Sequence, residues 1–343
     1  MIMNLVRIEN FFKENNVPAF RLKQLRDAVY KQYASGWDEI KTLPSDLREK
    51  LAEKEGTVLS VKPLEILTSK NHDAIKFCLE LKDKHKIECV LMNILPEKWA
   101  LCLSTQVGCA VRCAFCATGK RGLRRNLSPE EITDQFILAA GHLKKLNGCK
   151  IHSVVFMGMG EPFLNYASVA DSIRIITSPD MIGLGQRHVS VSTSGHVPGI
   201  RAFGKDFPQC NLAFSMHAPT DELRTDLVPM NSKYPLSQIA KALQDYIKAT
   251  HRKVMIEYVM LDGVNSSRSM PDKINDYLRT IAAPKFFTIN LIAYNKTGGA
   301  FRSPAPERLQ IFQGLLMDLG WETTIRKSLG EDIAGACGQL AGK

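Results

Sequence analysis

Residues 99–119 read WALCLSTQVGCAVRCAFCATG, and the order of events in that stretch decides the architecture. A strand-like apolar run, Trp99 to Thr105, is followed at once by Cys109, Cys113 and Cys116, spaced C-x3-C-x2-C. So short a loop lets three thiols converge beyond the carboxyl end of one strand, and Gly108 and Ala110 add little bulk beside the first. The next cysteine is Cys149, on the amino side of the following strand. Structural zinc sites usually close with four ligands and all-cysteine clusters use four thiolates, so an isolated trio suits a 4Fe–4S cluster with one iron left open. A zinc knuckle, or three unrelated buried cysteines, are the competing readings.

Outward from this stretch the pattern alternates. Ile151 to Met157, His188 to Thr193, Asn211 to Met216, Val254 to Met260 and Phe286 to Ile292 read as further buried strands, with mostly helical segments between them. One of those helices opens on Ser128-Pro129-Glu130-Glu131, a capping box with proline at its first position, and continues through Ile132, Phe136, Ala140 and Leu143. The alternation predicts an α/β fold, a partial (βα)6 barrel over residues 96–343, with functional groups at the carboxyl ends of its strands. A last strand, Glu322 to Arg326, leads into a Gly-rich C-terminus. Residues 1–60 read as a small helical accessory domain and RNA-binding candidate. Leu22, Leu25 and Val29 share one face there, Arg21, Lys23, Arg26 and Lys31 line the others, and Pro44 starts a second short helix through Leu47 and Leu51. The basic residues serve equally as a solvated face. Residues 61–95 read as a β-hairpin linker, Ala74 to Leu81 and Ile87 to Ile94 around the turn Lys82-Asp83-Lys84-His85, with the boundary near Pro96.

Composition narrows the class. Hydrophobic content of 45% and charged content of 23% over 343 residues are those of a globular chain. The net charge of +10 is compatible with a polyanionic partner. Nine cysteines are too sparse for a secreted disulfide scaffold, so their clustering points to metal or chemistry in a reducing compartment. No apolar run has the length of a membrane span. The segment Met1 to Asn15 carries Arg7, Glu9, Lys13 and Glu14, which break up any secretory leader. The expectation is a cytoplasmic monomer with no membrane partner.

With an aromatic residue, Phe115, between its last two cysteines, the C-x3-C-x2-C loop resembles that of the radical S-adenosylmethionine (SAM) superfamily. The resemblance implies that the open iron chelates the amine and carboxylate of SAM. Electron transfer, from a donor such as flavodoxin or ferredoxin, then splits the sulfonium to give a 5′-deoxyadenosyl radical. That chemistry is the cofactor's, while the protein orients it and excludes water. The strand Ile151 to Met157 ends in Gly158-Met159-Gly160-Glu161-Pro162, where glycines admit close approach of backbone to ligand and Glu161 can accept from an ammonium. This loop, through Gly160 and Glu161, is similar to the GGEP-type motif that holds the SAM amino group. Later strands end in Ser192-Thr193-Ser194, Ser215-Met216-His217 and Tyr294-Asn295. Each is taken singly as an ordinary strand-end cap, but in successive barrel positions Ser192, Ser215, Met216, His217 and Asn295 become candidates for contacts to SAM.

Two further cysteines narrow the reaction. Cys102 lies seven residues before Cys109, and Cys337 sits in Ala336-Cys337-Gly338-Gln339-Leu340. A cysteine between small residues near a terminus is accessible enough to be a nucleophile, although free cysteine is as often a small buried hydrophobe. The stretches 102–109, 116–119, 157–162 and 336–340 together resemble the RlmN/Cfr radical SAM adenine methyltransferases, RlmN most of all, and the resemblance covers nearly the whole chain. It implies two molecules of SAM per turnover. Cys337 takes a methyl group from the first. The radical from the second abstracts hydrogen from that S-methyl group, and the resulting carbon radical adds to the adenine ring. Loss of the ring proton then lets Cys102 attack Cys337, which releases methylated RNA and leaves a transient disulfide. The proton acceptor of the family corresponds to Glu88 in Ile87-Glu88-Cys89-Val90, one residue further from Cys102 than the pattern leads one to expect. A second departure is Asn295-Lys296, where the family often has Asn-Pro. The implied substrate is large-subunit ribosomal RNA, with tRNA as a further one.

Lys120, Arg121, Arg124 and Arg125 follow the cysteine loop and would hold phosphates while the target adenine is flipped out of its stack, unless they are a plain solvated run. A radical SAM enzyme acting on a protein or small molecule would need neither Cys102 nor Cys337. A zinc-dependent RNA-binding module would keep only the basic surface. Within the RlmN/Cfr reading, Pro162 followed by Phe-Leu-Asn leans towards carbon 2 of adenine, whereas Glu131-Ile-Thr-Asp-Gln135 is equally at home in the carbon-8 enzymes that confer antibiotic resistance.

Overall fold

Runs rich in β-branched and aromatic residues favour extended chain, and the computed structural model, which describes residues 3–342, gathers these runs into one ten-stranded sheet. Met1, Ile2 and Lys343 lie outside the described residues. Three antiparallel strands come first: β1 (Val61–Thr68), β2 (Ala74–Leu81) and β3 (Lys86–Leu95). The next, β4 (Lys98–Cys102), pairs antiparallel with β3 and opens the parallel part of the sheet. A separate ribbon, β5 (Gln106–Gly108) against β6 (Leu123–Asn126), brackets the cysteine loop. The sheet continues with β7 (Ile151–Phe156), β8 (Val189–Thr193), β9 (Asn211–Ser215), β10 (Val254–Met260), β11 (Phe287–Ala293) and β12 (Thr323–Arg326), every neighbour parallel from β4 onwards. β1 and β12 stand at opposite edges, so the barrel is open. This is the mixed α/β architecture expected from the alternation.

Helices α1 (Met3–Glu14), α2 (Phe20–Tyr30) and α3 (Ser45–Glu55) form the accessory layer, with their own core around Phe11, Phe12, Leu25, Leu47 and Leu51. A short α4 (Ala117–Lys120) follows the cysteines. The crossover helices are α5 (Pro129–Asn147), α6 (Tyr166–Thr177), α7 (Val197–Asp206), α8 (Asp221–Leu227), α9 (Leu236–Thr250), α10 (Met270–Arg279) and α11 (Pro306–Asp318). The start of α5 is the expected capping box: Ser128 Oγ accepts from Glu131 N–H at 3.2 Å, and Glu131 Oε2 accepts from Ser128 N–H at 3.0 Å.

Side chains alternate between the two faces of a strand. Register places Phe156, Val191, Leu212, Phe214, Ile256 and Ile289 on one face, all fully buried in the main core. The opposite, concave face carries Cys102, Ser192, Ser215 and Glu257.

Three features differ from expectation. Trp99 to Thr105 is not one strand: β4 ends at Cys102, and Leu103 to Thr105 turn away to meet the loop after β7, with Thr105 N–H donating to the Met159 carbonyl at 2.8 Å. Residues 61–95 are more than a hairpin linker, because β3 is hydrogen-bonded to β4 with Val90 opposite Cys102. β1 was not anticipated. It is an exposed edge strand with Pro63 beside a register shift, so burial never imposed an alternating pattern on it.

The accessory helices meet the barrel at a buried carboxyl. Asp134 Oδ2 on α5 accepts from Ser60 N–H at 2.6 Å and Ser60 Oγ at 2.7 Å, beside a small cluster of Tyr30, Leu59, Ile137 and Ile175. Burial pushes Asp134 up to about 7, against the pull of both Ser60 bonds. The folded chain therefore keeps this proton where the unfolded chain, with an ordinary value of 3.8, has lost it. Stability contributed at this site falls as pH rises from about 4 to about 7. Asp134→Asn should flatten that window by about 1–3 kcal/mol. Melting curves of both proteins across it check the sign, and parallel curves would refute it.

Candidate active site

The cysteine loop is shaped by a backbone approach that only glycine permits. A Cβ on Gly108, whose φ is +78°, would lie 1.8 Å from the Gly122 carbonyl oxygen. That approach lets Cys109 N–H donate to Gly122 at 3.1 Å and closes the loop on itself. Cys109, Cys113 and Cys116 line one cavity together with Cys102 and Cys337. Burial pushes the Cys109 thiol up to about 12 and holds Cys113 well above the ordinary value, and the neighbouring sulfurs add to both shifts. Metal binding deprotonates such thiols and compensates their charge. Among the described residues no three His, Cys, Asp or Glu side chains are grouped to hold a single ion. All three thiols open onto this one cavity, close enough to shift one another, a donor set that fits a thiolate-held cluster.

A second wall comes from the ends of β7 to β11. After β7, Gly158 and Gly160 pack against the segment following β4. A Cβ on Gly158 would sit 2.6 Å from the Leu103 carbonyl oxygen, and one on Gly160 (φ +106°) 2.6 Å from Gln106 Cβ. Gly160→Ala is therefore strained twice over, and should lower stability by about 2–3 kcal/mol in a denaturant titration. An unchanged midpoint would remove the argument for that glycine.

Glu161 is buried, and burial raises its pKa. Its Oε2 accepts from Ser194 N–H at 2.8 Å and Ser194 Oγ at 2.7 Å, and its Oε1 from Phe163 N–H at 3.2 Å, so the carboxylate ties the end of β8 to the glycine loop. Ser192 Oγ and Ser215 Oγ stand 3.1 Å apart on the cavity surface. Burial holds His217 down at about 3, so the ring is neutral. Its Nδ1 accepts from Val259 N–H at 3.1 Å, which leaves Nε2–H as a donor, and the ring edge meets Phe115 with 4.9 Å between centroids. Asn295 Nδ2 donates to the Cys337 carbonyl at 3.1 Å. Met216, by contrast, is fully buried and does not line the cavity; its backbone takes part instead, the N–H donating to the Glu257 carbonyl at 3.1 Å.

The third wall is the C-terminal segment. Ala117 N–H donates to the Gly338 carbonyl at 2.8 Å and Thr118 Oγ1 to the Leu340 carbonyl at 2.6 Å, so this segment is laid directly on the cysteine loop. Cys337 is accessible while Ala336 and Leu340 beside it are buried. Cys102 and Cys337 are both free; burial raises Cys102 to about 12, and the part of Cys337 set into the cavity is desolvated enough to raise its thiol too, although the residue is exposed.

Two charged cavity residues were not foreseen. Arg326, at the end of β12, lies 3.7 Å from Glu257 Oε2 and 3.7 Å from Met157 Sδ, and its charge lowers both thiols. Glu257 is buried mid-strand on β10, with Oε1 accepting from Asn290 Nδ2 at 2.8 Å and Oε2 without a hydrogen-bond partner. Their only sequence signal was position: one ends a strand, the other is a lone carboxylate within an apolar run.

Glu88 lies on the same face of β3 as Met92, which borders this cavity, but is not itself part of the lining. It is buried on β3, and its carboxylate is taken up by Lys76 and by the backbone N–H groups of Ala341 and Gly342. The basic run is also partly spent. Arg125 is bound bidentately by Glu131 and by Asp83, Arg121 donates to the Gly342 carbonyl at 2.9 Å, and Lys120 to the Thr297 carbonyl at 3.2 Å. Arg124 is left exposed.

Comparison with known proteins agrees with this geometry. Residues 103–268 match the model of the radical SAM superfamily. The chain is 41% identical over 346 residues to a probable dual-specificity RNA methyltransferase RlmN from Syntrophomonas wolfei, covering 98% of this chain and 95% of that one. It is 38% identical over 342 residues to a ribosomal RNA large subunit methyltransferase Cfr from Bacillus velezensis, covering 98% and 96%. Among solved structures it superimposes on a radical SAM methyltransferase from Sphaerobacter thermophilus with a TM-score of 0.93 and 37% identity, over 100% of both chains.

Proposed function

Because the chain belongs to the RlmN/Cfr family of radical SAM RNA methyltransferases, we propose that it methylates carbon 2 of an adenine in large-subunit ribosomal RNA through a methyl group carried on Cys337. The observation that carries this reading is the meeting of two thiols outside the cysteine trio, Cys102 and Cys337, on the cavity the trio lines. Members of the family use a 4Fe–4S cluster and SAM. When bound here, the cluster on Cys109, Cys113 and Cys116 and a SAM beside it supply the 5′-deoxyadenosyl radical.

The protein's own groups do the rest. Gly160, Ser192, Ser215, His217 and Asn295 offer hydroxyl, amide and imidazole donors to SAM, and Glu161 holds the glycine loop against β8. Cys337 takes up the methyl carbon, and two SAM are consumed per product, one for the carbon and one for the radical. Cys102 then attacks the Cys337 sulfur. By then the adduct of Cys337 and adenine has given up its odd electron to a one-electron acceptor and its ring proton to a base; the S–S bond forms, the bond from sulfur to the transferred carbon breaks, and the electron pair left on that carbon takes up a proton to complete the methyl group. Arg326 faces both sulfurs as the cation that favours their thiolate forms. Ring-proton acceptance is assigned to Glu88.

Methylation at carbon 8 is the second reading, and the near-equal identity to named RlmN and Cfr proteins is the observation that favours it. We further assign tRNA as a second substrate, a flavodoxin- or ferredoxin-like electron donor, and a monomer acting in the cytoplasm. Among the described residues no helix is long and apolar enough to cross a membrane. The test is anaerobic reconstitution with iron and sulfide, then incubation with SAM, a reductant and ribosomal RNA, with mass spectrometry of the digested adenosines. 2-Methyladenosine is the expected product. 8-Methyladenosine would move the chemistry to the other side of the base, and iron-independent RNA binding with no SAM cleavage would overturn the enzyme assignment.

A further inference from the structure

The loop that carries Cys337 contains no helix beyond the three-residue turn Glu331–Ile333 and no strand, so its course has to be set by what it is tied to. Its two ends converge on one buried ion pair. Lys76 on β2 and Glu88 on β3 lie side by side on the barrel-facing side of the antiparallel strands, with Lys76 Nζ 3.3 Å from Glu88 Oε1 and both side chains nearly inaccessible. Lys76 Nζ donates to the Ala334 carbonyl at 3.3 Å, at the start of the loop. Glu88 Oε2 accepts from Ala341 N–H at 2.6 Å and Gly342 N–H at 2.9 Å, at its end. Ala334 and Gly342 both have left-handed backbone, with φ of +49° and +62°, so the chain turns at each anchored foot. Between them Cys337 is exposed, flanked by the buried Ala336 and half-buried Gly338.

We propose that Lys76 and Glu88 are positioning residues: the pair staples both feet of the 334–342 loop and so sets where Cys337 stands in the cavity. This inference rests on the reading of Cys337 as methyl carrier. It also assigns Glu88 a task in the resting protein that precedes any role in proton removal, since its second oxygen is occupied by the loop until Ala341 and Gly342 move away. A buried ion pair contributes little net stability, because desolvation offsets the attraction between its charges. Backbone groups on a chain segment without secondary structure, however, have few alternative partners in a buried site, and losing these would leave them unsatisfied.

Removing one partner alone would strand a buried charge, so the test replaces both. Lys76→Met/Glu88→Leu keeps shape and removes the staple. A second variant lacking residues 341–343 removes one anchored foot and leaves the sheet untouched. Both are compared with the parent as anaerobically reconstituted holoprotein, by hydrogen exchange of residues 331–340 and by the fraction of Cys337 that becomes S-methylated with SAM and reductant in the absence of RNA. The expected result is exchange faster by at least about tenfold in that segment, with no matching change in the strands, and a parallel fall in Cys337 methylation. Unchanged exchange in either variant that retains its fold overturns the proposal. Full Cys337 methylation combined with stalled release of RNA would make Glu88 a proton acceptor without a stapling role. An unmethylated Cys337 in the parent protein with normal RNA methylation would instead sink the methyl-carrier reading itself.

Discussion

Cys337→Ala is expected to leave the reconstituted protein able to hold iron and to cleave SAM, while RNA methylation falls by about 1,000-fold or more. The expectation of an intact site follows from how the loop is held. Asn295 bonds the Cys337 carbonyl, Ala117 the Gly338 carbonyl and Thr118 the Leu340 carbonyl, so no anchor runs through the sulfur. Alanine preserves all three. What it removes is the sulfur proposed to carry the methyl carbon. Cys102→Ala should fail differently. Carbon transfer to RNA proceeds, but no thiol remains to expel Cys337, so protein and RNA stay joined and co-migrate on a denaturing gel. Cys102 is suited to this late step because it lines the same cavity yet is buried, and burial holds it mostly protonated. Attack then waits for Arg326 and the loss of its proton, rather than competing with the first methyl transfer. Matched turnover in Cys102→Ala and the parent protein would remove the thiol-exchange step from the mechanism.

The residues behind these expected outcomes were readable in outline from the chain, because covalent chemistry leaves its residues in fixed spacings. The cysteine trio, Cys102, Cys337, the glycine loop and the strand-end serines and asparagine all occupy one cavity. The strands that deliver them were visible as apolar runs, since parallel strands buried on both faces have little freedom of composition. What escaped was whatever depends on tertiary partners alone. β1 carries no alternating pattern because an edge strand is shaped by hydrogen bonds to β2 more than by burial. Arg125 looked like a phosphate ligand, yet Asp83 and Glu131, distant or merely nearby in sequence, consume its guanidinium. Met216 sat in a promising tripeptide, but alternation turned its side chain into the core and left its neighbours Ser215 and His217 in the cavity. Glu88 could be aligned to a role, but no spacing shows that a carboxylate is already bonded to the other end of the chain.

The strongest instance is Arg224, which no motif singled out. It is fully buried in α8, behind the cavity, and its guanidinium is a hub for the ends of two strands. Nη2 donates to the Ser194 carbonyl at 2.6 Å and the Ser215 carbonyl at 3.2 Å, Nε to the Met216 carbonyl at 3.0 Å, and Nη1 to Asn231 Oδ1 at 2.9 Å. A planar fork with five donors can hold several carbonyls at once, which lysine cannot. The two strand ends it joins, after β8 and β9, are the ones that present Ser192, Ser215 and His217. Burial pulls Arg224 down to about 10, still charged at neutral pH, and the cation makes these bonds stronger than neutral ones. Arg224→Leu would leave three buried carbonyls and the Asn231 amide oxygen without this donor, and is expected to cost about 3–5 kcal/mol in a chemical denaturation curve. Arg224→Lys should recover only part of that loss. Because the strand ends are released along with the bonds, SAM affinity should fall by at least about tenfold even at temperatures where the variant is folded. A variant of parental stability and parental SAM affinity would mean that the strand ends are placed by their own sheet pairing, with the arginine merely filling space behind them.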